Sequence, residues 1–176
     1  MRSNMKNVIV TIFAVLLIGA SVFLNSCKIR YSFSGVNLSA QVKTYSVYYF
    51  PNRARLVNPT LSQLLTEELK NKLQRKSPLK EVAEDGDLVF EGFIENYELK
   101  PMSIQKGDAA AQNRLTIAVM VKYTNSIDTD QSFERSFSGY EDFDSSQNWN
   151  DVEDTIVPII IDKILEDLFN ATIASW

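Results

Sequence analysis

The stretch Asn113-Arg114-Leu115-Thr116-Ile117-Ala118-Val119-Met120-Val121-Lys122-Tyr123 sets Leu115, Ile117, Val119, Val121 and Tyr123 against Thr116, Ala118, Met120 and Lys122. Successive side chains of a strand point to opposite faces, so this period of two predicts a β-strand with one face on a core. Turn formers occupy residues 125–130, and residues 132–143 resume with Phe133, Phe137, Tyr140 and Phe143. The two segments are expected to form an antiparallel hairpin.

Upstream, residues 87–99 alternate Leu88, Phe90, Gly92 and Ile94 with Val89, Glu91, Phe93 and Glu95, which predicts a half-buried strand. Residues 100–112 carry Pro, Gly and an Ala run, break that period, and read as a loop projecting from the sheet end. Residues 79–83 read as a short strand, with Glu84-Asp85-Gly86-Asp87 as a tight turn. Residues 42–50 are rich in Val, Thr, Tyr and Phe on both faces and read as a central strand.

Two helices complete the pattern. Asn58-Pro59 supplies a cap and a first-turn proline, and Leu61, Leu64, Leu65, Leu69 and Leu73 recur at helical spacing. Lys70, Lys72, Arg75 and Lys76 suit the negative end of the helix dipole, and Pro78 stops the helix. Near the C-terminus, Ile156, Ile159, Ile160, Ile164, Leu165, Leu168 and Phe169 form a second apolar stripe behind Asp151, Glu153 and Asp154. Pro158 removes an intrahelical bond, so a break or kink is expected there, with the regular helix mostly after it. The order strand, helix, strands, helix gives an α+β fold: a two-layer sandwich of a mostly antiparallel 4-5-stranded sheet with two helices on one face. The other face carries many Tyr, Thr and Ser groups and is expected to stay partly open.

The N-terminus has a different character. Arg2 and Lys6 precede a nearly apolar run over residues 8–24, followed by Leu24-Asn25-Ser26-Cys27. This pattern reads as an export signal cut before a lipidated cysteine, the only cysteine in the chain. A non-cleaved membrane helix is the alternative, since about 17 residues lie at the short end of a bilayer span. The expected organisation is a signal peptide over residues 1–26, a lipidated tether over 27–41 and a single domain over 42–176. Cleavage also removes Arg2 and Lys6, taking the net charge from −4 to −6 and leaving no duplex-binding basic surface. The chain has no histidine, which excludes histidine triads, histidine metal ligands and imidazole acid–base work. No metal or cofactor site is expected. With one cysteine, no internal disulfide is available, and the fold must rest on its core.

The residues Tyr31-Ser32-Phe33-Ser34-Gly35, Tyr49-Phe50-Pro51-Asn52-Arg53-Ala54, Val57-Asn58-Pro59-Thr60-Leu61-Ser62-Gln63, Asn113-Arg114-Leu115-Thr116-Ile117, Phe137-Ser138-Gly139-Tyr140, Asp144-Ser145-Ser146-Gln147 and Asp151-Val152-Glu153-Asp154 carry a resemblance. Together they resemble a divergent branch of the LptE family of lipopolysaccharide-assembly lipoproteins, over nearly the whole mature chain. The resemblance implies a non-enzymatic outer-membrane lipoprotein facing the periplasm. It further implies a plug and assembly partner for the LptD translocon barrel that contacts lipopolysaccharide. A pilot-type or glycan-binding lipoprotein with another envelope partner is the alternative.

Candidate contacts follow from chemistry. An anionic glycolipid needs cations and apolar neighbours on a projecting element, which Lys100, Met102, Ile104 and Lys106 supply. Arg53 and Arg55 could pair with barrel carboxylates or phosphate, or fix their own turn through loop carbonyls. A structural role is read for Asn113 and Arg114, and core packing for Tyr140, Phe143 and Trp149. A carboxylate hydrolase built on Glu91, Glu95 or Asp108 is the least favoured reading, because alternating Glu residues on a half-buried strand usually face water.

Overall fold

The computed structural model describes residues 39–56, 58–102 and 111–174. Five strands form one sheet: β1 (Thr44–Val47), β2 (Lys80–Glu81), β3 (Leu88–Met102), β4 (Gln112–Asn125) and β5 (Phe133–Asp144), in the order β2-β1-β3-β4-β5. Two helices, α1 (Leu61–Lys76) and α2 (Trp149–Thr172), lie on one face. β3, β4 and β5 run antiparallel, whereas β1 is parallel to both its neighbours. The expected α+β sandwich is therefore present, with a mixed sheet. Among the described residues no helix is long and apolar enough to cross a membrane.

β4 is as its alternation demands. Leu115, Ile117, Val119, Val121 and Tyr123 are buried under the helices. From α1 come Leu61, Leu65, Leu69 and Leu73, each contributing roughly 2 kcal/mol of transfer free energy; Ile160, Ile161, Ile164, Leu165 and Leu168 come from α2. Gly139 of β5 lets α2 settle closely: a Cβ there would lie 3.1 Å from Ile160 Cγ2 and 3.2 Å from its carbonyl oxygen.

Contacts between the helices climb together. Asn58, just before α1, bonds Glu153; Lys72 reaches Asp162 and Glu166; Lys76 reaches Glu166. The helices therefore run side by side in the same direction. At their N-terminal ends Tyr97 of β3 donates its hydroxyl to Glu153, which also accepts from Asn58 Nδ2 at 2.8 Å. Burial, and then the bond to Glu153, hold the Tyr97 phenol above its ordinary range. The same Asn58 caps α1, its Oδ1 accepting from the amides of Thr60 and Leu61.

Several expectations need correction. α2 runs unbroken through Pro158 and begins at Trp149, not after the proline. Pro158 and Asp154, whose carbonyl loses its amide partner, are both exposed, so solvent can reach the freed carbonyl. β1 is shorter than residues 42–50, because Tyr48 and Tyr49 turn to solvent while Phe50 enters the core. The backbone nevertheless continues beside β3, through Tyr48 N–H to Phe90 and a bridge between Asn52 and Ile94. The expected loop over residues 100–112 is also narrower: Lys100 and Met102 belong to β3 and Gln112 to β4. A bulge between Ile94 and Asn96 shifts the alternation along β3, so Ile94 and then Tyr97 point inward.

One buried polar atom stands out. The hydroxyl of Tyr123, in the core at 1 % exposure, has no hydrogen-bond partner of good geometry among the described residues, Asn125 being the nearest polar neighbour, and burial pushes its pKa up to about 12. An unpartnered buried hydroxyl carries its desolvation cost without return. Tyr123→Phe is therefore expected to leave stability unchanged or raise it by up to about 1 kcal/mol, read from thermal melting. A melting point several degrees lower would show that the hydroxyl is bonded.

Candidate functional site

The face of the sheet away from the helices has no covering layer among the described residues, and register fixes which side chains share it. Successive rungs are Glu91–Lys122–Glu134, Phe93–Met120–Ser136, Asn96–Ala118–Ser138, Glu98–Thr116–Tyr140, Lys100–Arg114–Asp142 and Met102–Gln112–Asp144. The rung Asn96–Ala118–Ser138 carries no charged or aromatic group, whereas the rungs at both ends carry charged ones.

The charges are mostly paired. Arg114 holds Asp142 through two bonds of 2.7 and 2.8 Å while its guanidinium stacks 3.8 Å from the Tyr140 ring centre. This bond holds the Asp142 carboxyl below its usual range. Lys122 pairs with Glu91, which raises the Lys122 pKa; Lys100 pairs with Glu98 at 2.8 Å and lowers the carboxyl. Glu95 accepts from Ser136 Oγ at 3.0 Å.

The residues picked from sequence do not gather at one point. Arg53 is exposed beside β3, its amide donating to Ile94 and its guanidinium 4.4 Å from the Phe93 ring centre. Arg55 is exposed in the same loop and has no ion pair among the described residues. Lys100 and Met102 lie at the far end of β3, about 23 and 30 Å from Phe93 along the strand. Ile104, Lys106 and Asp108 lie outside the described residues. Glu91 and Glu95 face the open side and are bonded as above. No group of three His, Cys, Asp or Glu residues among the described ones could hold a metal ion.

Tyr140 needs a further correction: it is 52 % exposed on the open face under Arg114, not in the core. Phe143 is buried and stacks on Trp149 at 5.6 Å, as core packing requires. The signal for Tyr140 was available: it is three residues from both Phe137 and Phe143, an odd step that places it on the opposite side of the strand.

A family model described as LptE, lipopolysaccharide-assembly, matches residues 42–172, which include every strand and helix of the sandwich. The chain belongs to the LptE family. Membership makes it an envelope lipoprotein of lipopolysaccharide-assembly type, in a family that is not enzymatic. Among solved structures, a hypothetical protein from Chlamydia trachomatis shares the fold at 9% identity and TM-score 0.52, over 72% of this chain and 93% of that one. A minor lipoprotein from Acinetobacter baumannii matches at 16% identity and TM-score 0.47, over 72% and 89%. Rare lipoprotein B from Shewanella oneidensis matches at 12% and 0.44, over 73% and 90%. No curated protein matches the sequence.

Proposed function

We propose that this LptE-family chain is a plug and assembly partner of an LptD-type barrel in the outer membrane. It faces the periplasm and is held there by an acylated Cys27 exposed on removal of residues 1–26. The observation that carries the reading is the open, polar sheet face. The lumen of a large outer-membrane barrel is polar, and a face of paired charges with a few aromatic anchors enters such a lumen without stranding bare ions. A purely apolar face would instead favour a lipid or core contact.

Arg53 and Arg55 near the middle of β3, and Lys100, Met102, Ile104 and Lys106 toward its end, are the proposed contacts for barrel carboxylates or lipopolysaccharide phosphates. Depletion of the protein tests the role. The barrel is expected to misassemble and lipopolysaccharide to stop reaching the surface. Normal barrel levels with normal export would overturn the proposal. Mass spectrometry of the purified protein tests the anchor, with a fatty-acylated N-terminal Cys27 as the expected result.

A further inference from the structure

The outer edge of β5 is a long strand margin with no neighbouring strand among the described residues, and its hydrogen-bonding pattern follows from register. The Ser126 amide bonds the Asp87 carbonyl at 2.9 Å and the Ser145 amide bonds the Ala111 carbonyl at 2.9 Å, which fixes the phase of both ladders. Pairing residues alternate by two, so Phe133, Arg135, Phe137, Gly139, Glu141 and Phe143 bond β4. Glu134, Ser136, Ser138, Tyr140 and Asp142 then turn their amides and carbonyls outward. Lys163 Nζ approaches the Tyr140 carbonyl at 3.4 Å, as this phase requires. None of the five outward amides finds an acceptor among the described residues.

Charge along this margin is mainly acidic: Glu141 is paired with Lys163, Asp142 with Arg114, and Glu166 with Lys72 and Lys76, while Glu134, Asp144 and Asp167 have no basic partner among the described residues. Glu134, Glu141, Asp142 and Asp144 on β5, with Glu166 and Asp167 on the adjoining turn of α2, stand against Arg135 and Lys163. A shallow groove of about 540 Å³ between strand and helix, lined by Gly139, Glu141, Lys163, Glu166 and Asp167, leaves room for side chains beside the edge.

We propose that the outer edge of β5 takes up, as a sixth strand, an extended segment of a partner protein carrying Lys or Arg at alternate positions. Main-chain bonds to the outward groups supply the affinity and the carboxylates select the cations. A second copy of this chain is disfavoured, since its own β5 would bring the same acidic groups edge to edge. This inference does not rest on the barrel reading, because any partner of that chemistry meets it.

The test uses the purified protein and a short synthetic peptide alternating Lys with Val or Thr. Hydrogen exchange of the Ser136, Ser138 and Tyr140 amides is expected to slow roughly tenfold at saturating peptide, and a peptide with Glu in place of Lys to have no effect. Ser138→Pro removes an outward amide at a position where an edge strand tolerates proline, and is expected to abolish binding without loss of folding. Ser138→Ala keeps the amide and is expected to bind like the parent. Should the Lys peptide leave those amides exchanging freely, or a folded Ser138→Pro bind as the parent does, the inference is overturned. Protection that grows with protein concentration in the absence of peptide would also overturn it, by showing self-pairing. Barrel co-purification is a separate readout, so either proposal can fail alone.

Discussion

Gly92→Ala is expected to prevent folding at 37 °C. A Cβ built on Gly92 would lie 2.0 Å from the carbonyl oxygen of Met120 on β4 and 2.9 Å from Cε1 of Phe50. The phenylalanine ring could swing, but the oxygen belongs to the neighbouring backbone and cannot retreat without parting the ladder between β3 and β4. Phe50 is itself buried, and it occupies the space that a side chain at position 92 would claim. Only glycine therefore allows the segment after β1 to roll its ring onto the sheet. The expected loss is above about 4 kcal/mol, a large share of the 5–15 kcal/mol that holds a domain together. Circular dichroism and soluble yield measure it. A variant that melts cooperatively near the parent temperature would show that the strands can separate here at little cost.

The second large effect concerns Lys72. It is 4 % exposed, yet its ammonium reaches Asp162 and Glu166 on α2, each at 2.8 Å. Burial alone would lower its pKa, but the bonds to Asp162 and Glu166 outweigh that and raise it. Asp162→Asn with Glu166→Gln leaves the buried ammonium without a countercharge. Because Asp162 is 80 % exposed and water screens part of the attraction, the expected destabilisation is about 2 kcal/mol, not the larger loss of a fully enclosed pair. Lys72→Met is expected to be nearly neutral, since it removes the buried charge and leaves two carboxylates that water can reach. Equal losses in the two variants would refute this asymmetry.

The pH dependence has a definite sign. Bonds from Lys72 and Lys76 hold the Glu166 carboxyl below its ordinary value. The stability it contributes is complete above the ordinary glutamate range and disappears as pH falls through the lowered folded value. The gap between parent and double variant is thus expected to narrow in acid, and denaturant titration at several pH values measures it.

Sequence and structure agree where one physical rule acts alone. β4 alternates because one face is buried and the other open, and the stripe of α1 repeats because one side meets the sheet. The misses come from places where position in three dimensions decides. Pro158 lies on an exposed turn where water can reach the carbonyl it leaves unpaired, and exposure at that site is not written in the local residues. Lys72 reads as a cation suited to a helix end, but its stem lies among the packed leucines and its charge belongs to α2. The bulge after Ile94 shifts the period in mid-strand, which hides how far β3 extends. Likewise, the parallel pairing of β1 with β3 has no local signal, because the partners lie on either side of a helix. For the candidate site, the cations were visible as residue types, but their partners are cross-strand or distant: Asp142 for Arg114, Glu91 for Lys122 and Phe93 for Arg53.

The two margins of the sheet are unequal, and this limits what can be built from the molecule. Opposite the long β5 margin stands β2, with only Lys80 and Glu81, both exposed and charged, and Pro78 just before them. Growth of a sheet into a fibre needs a usable edge on both sides of every subunit. The β2 edge offers a second molecule only two charged residues, so growth of the sheet through that strand is disfavoured.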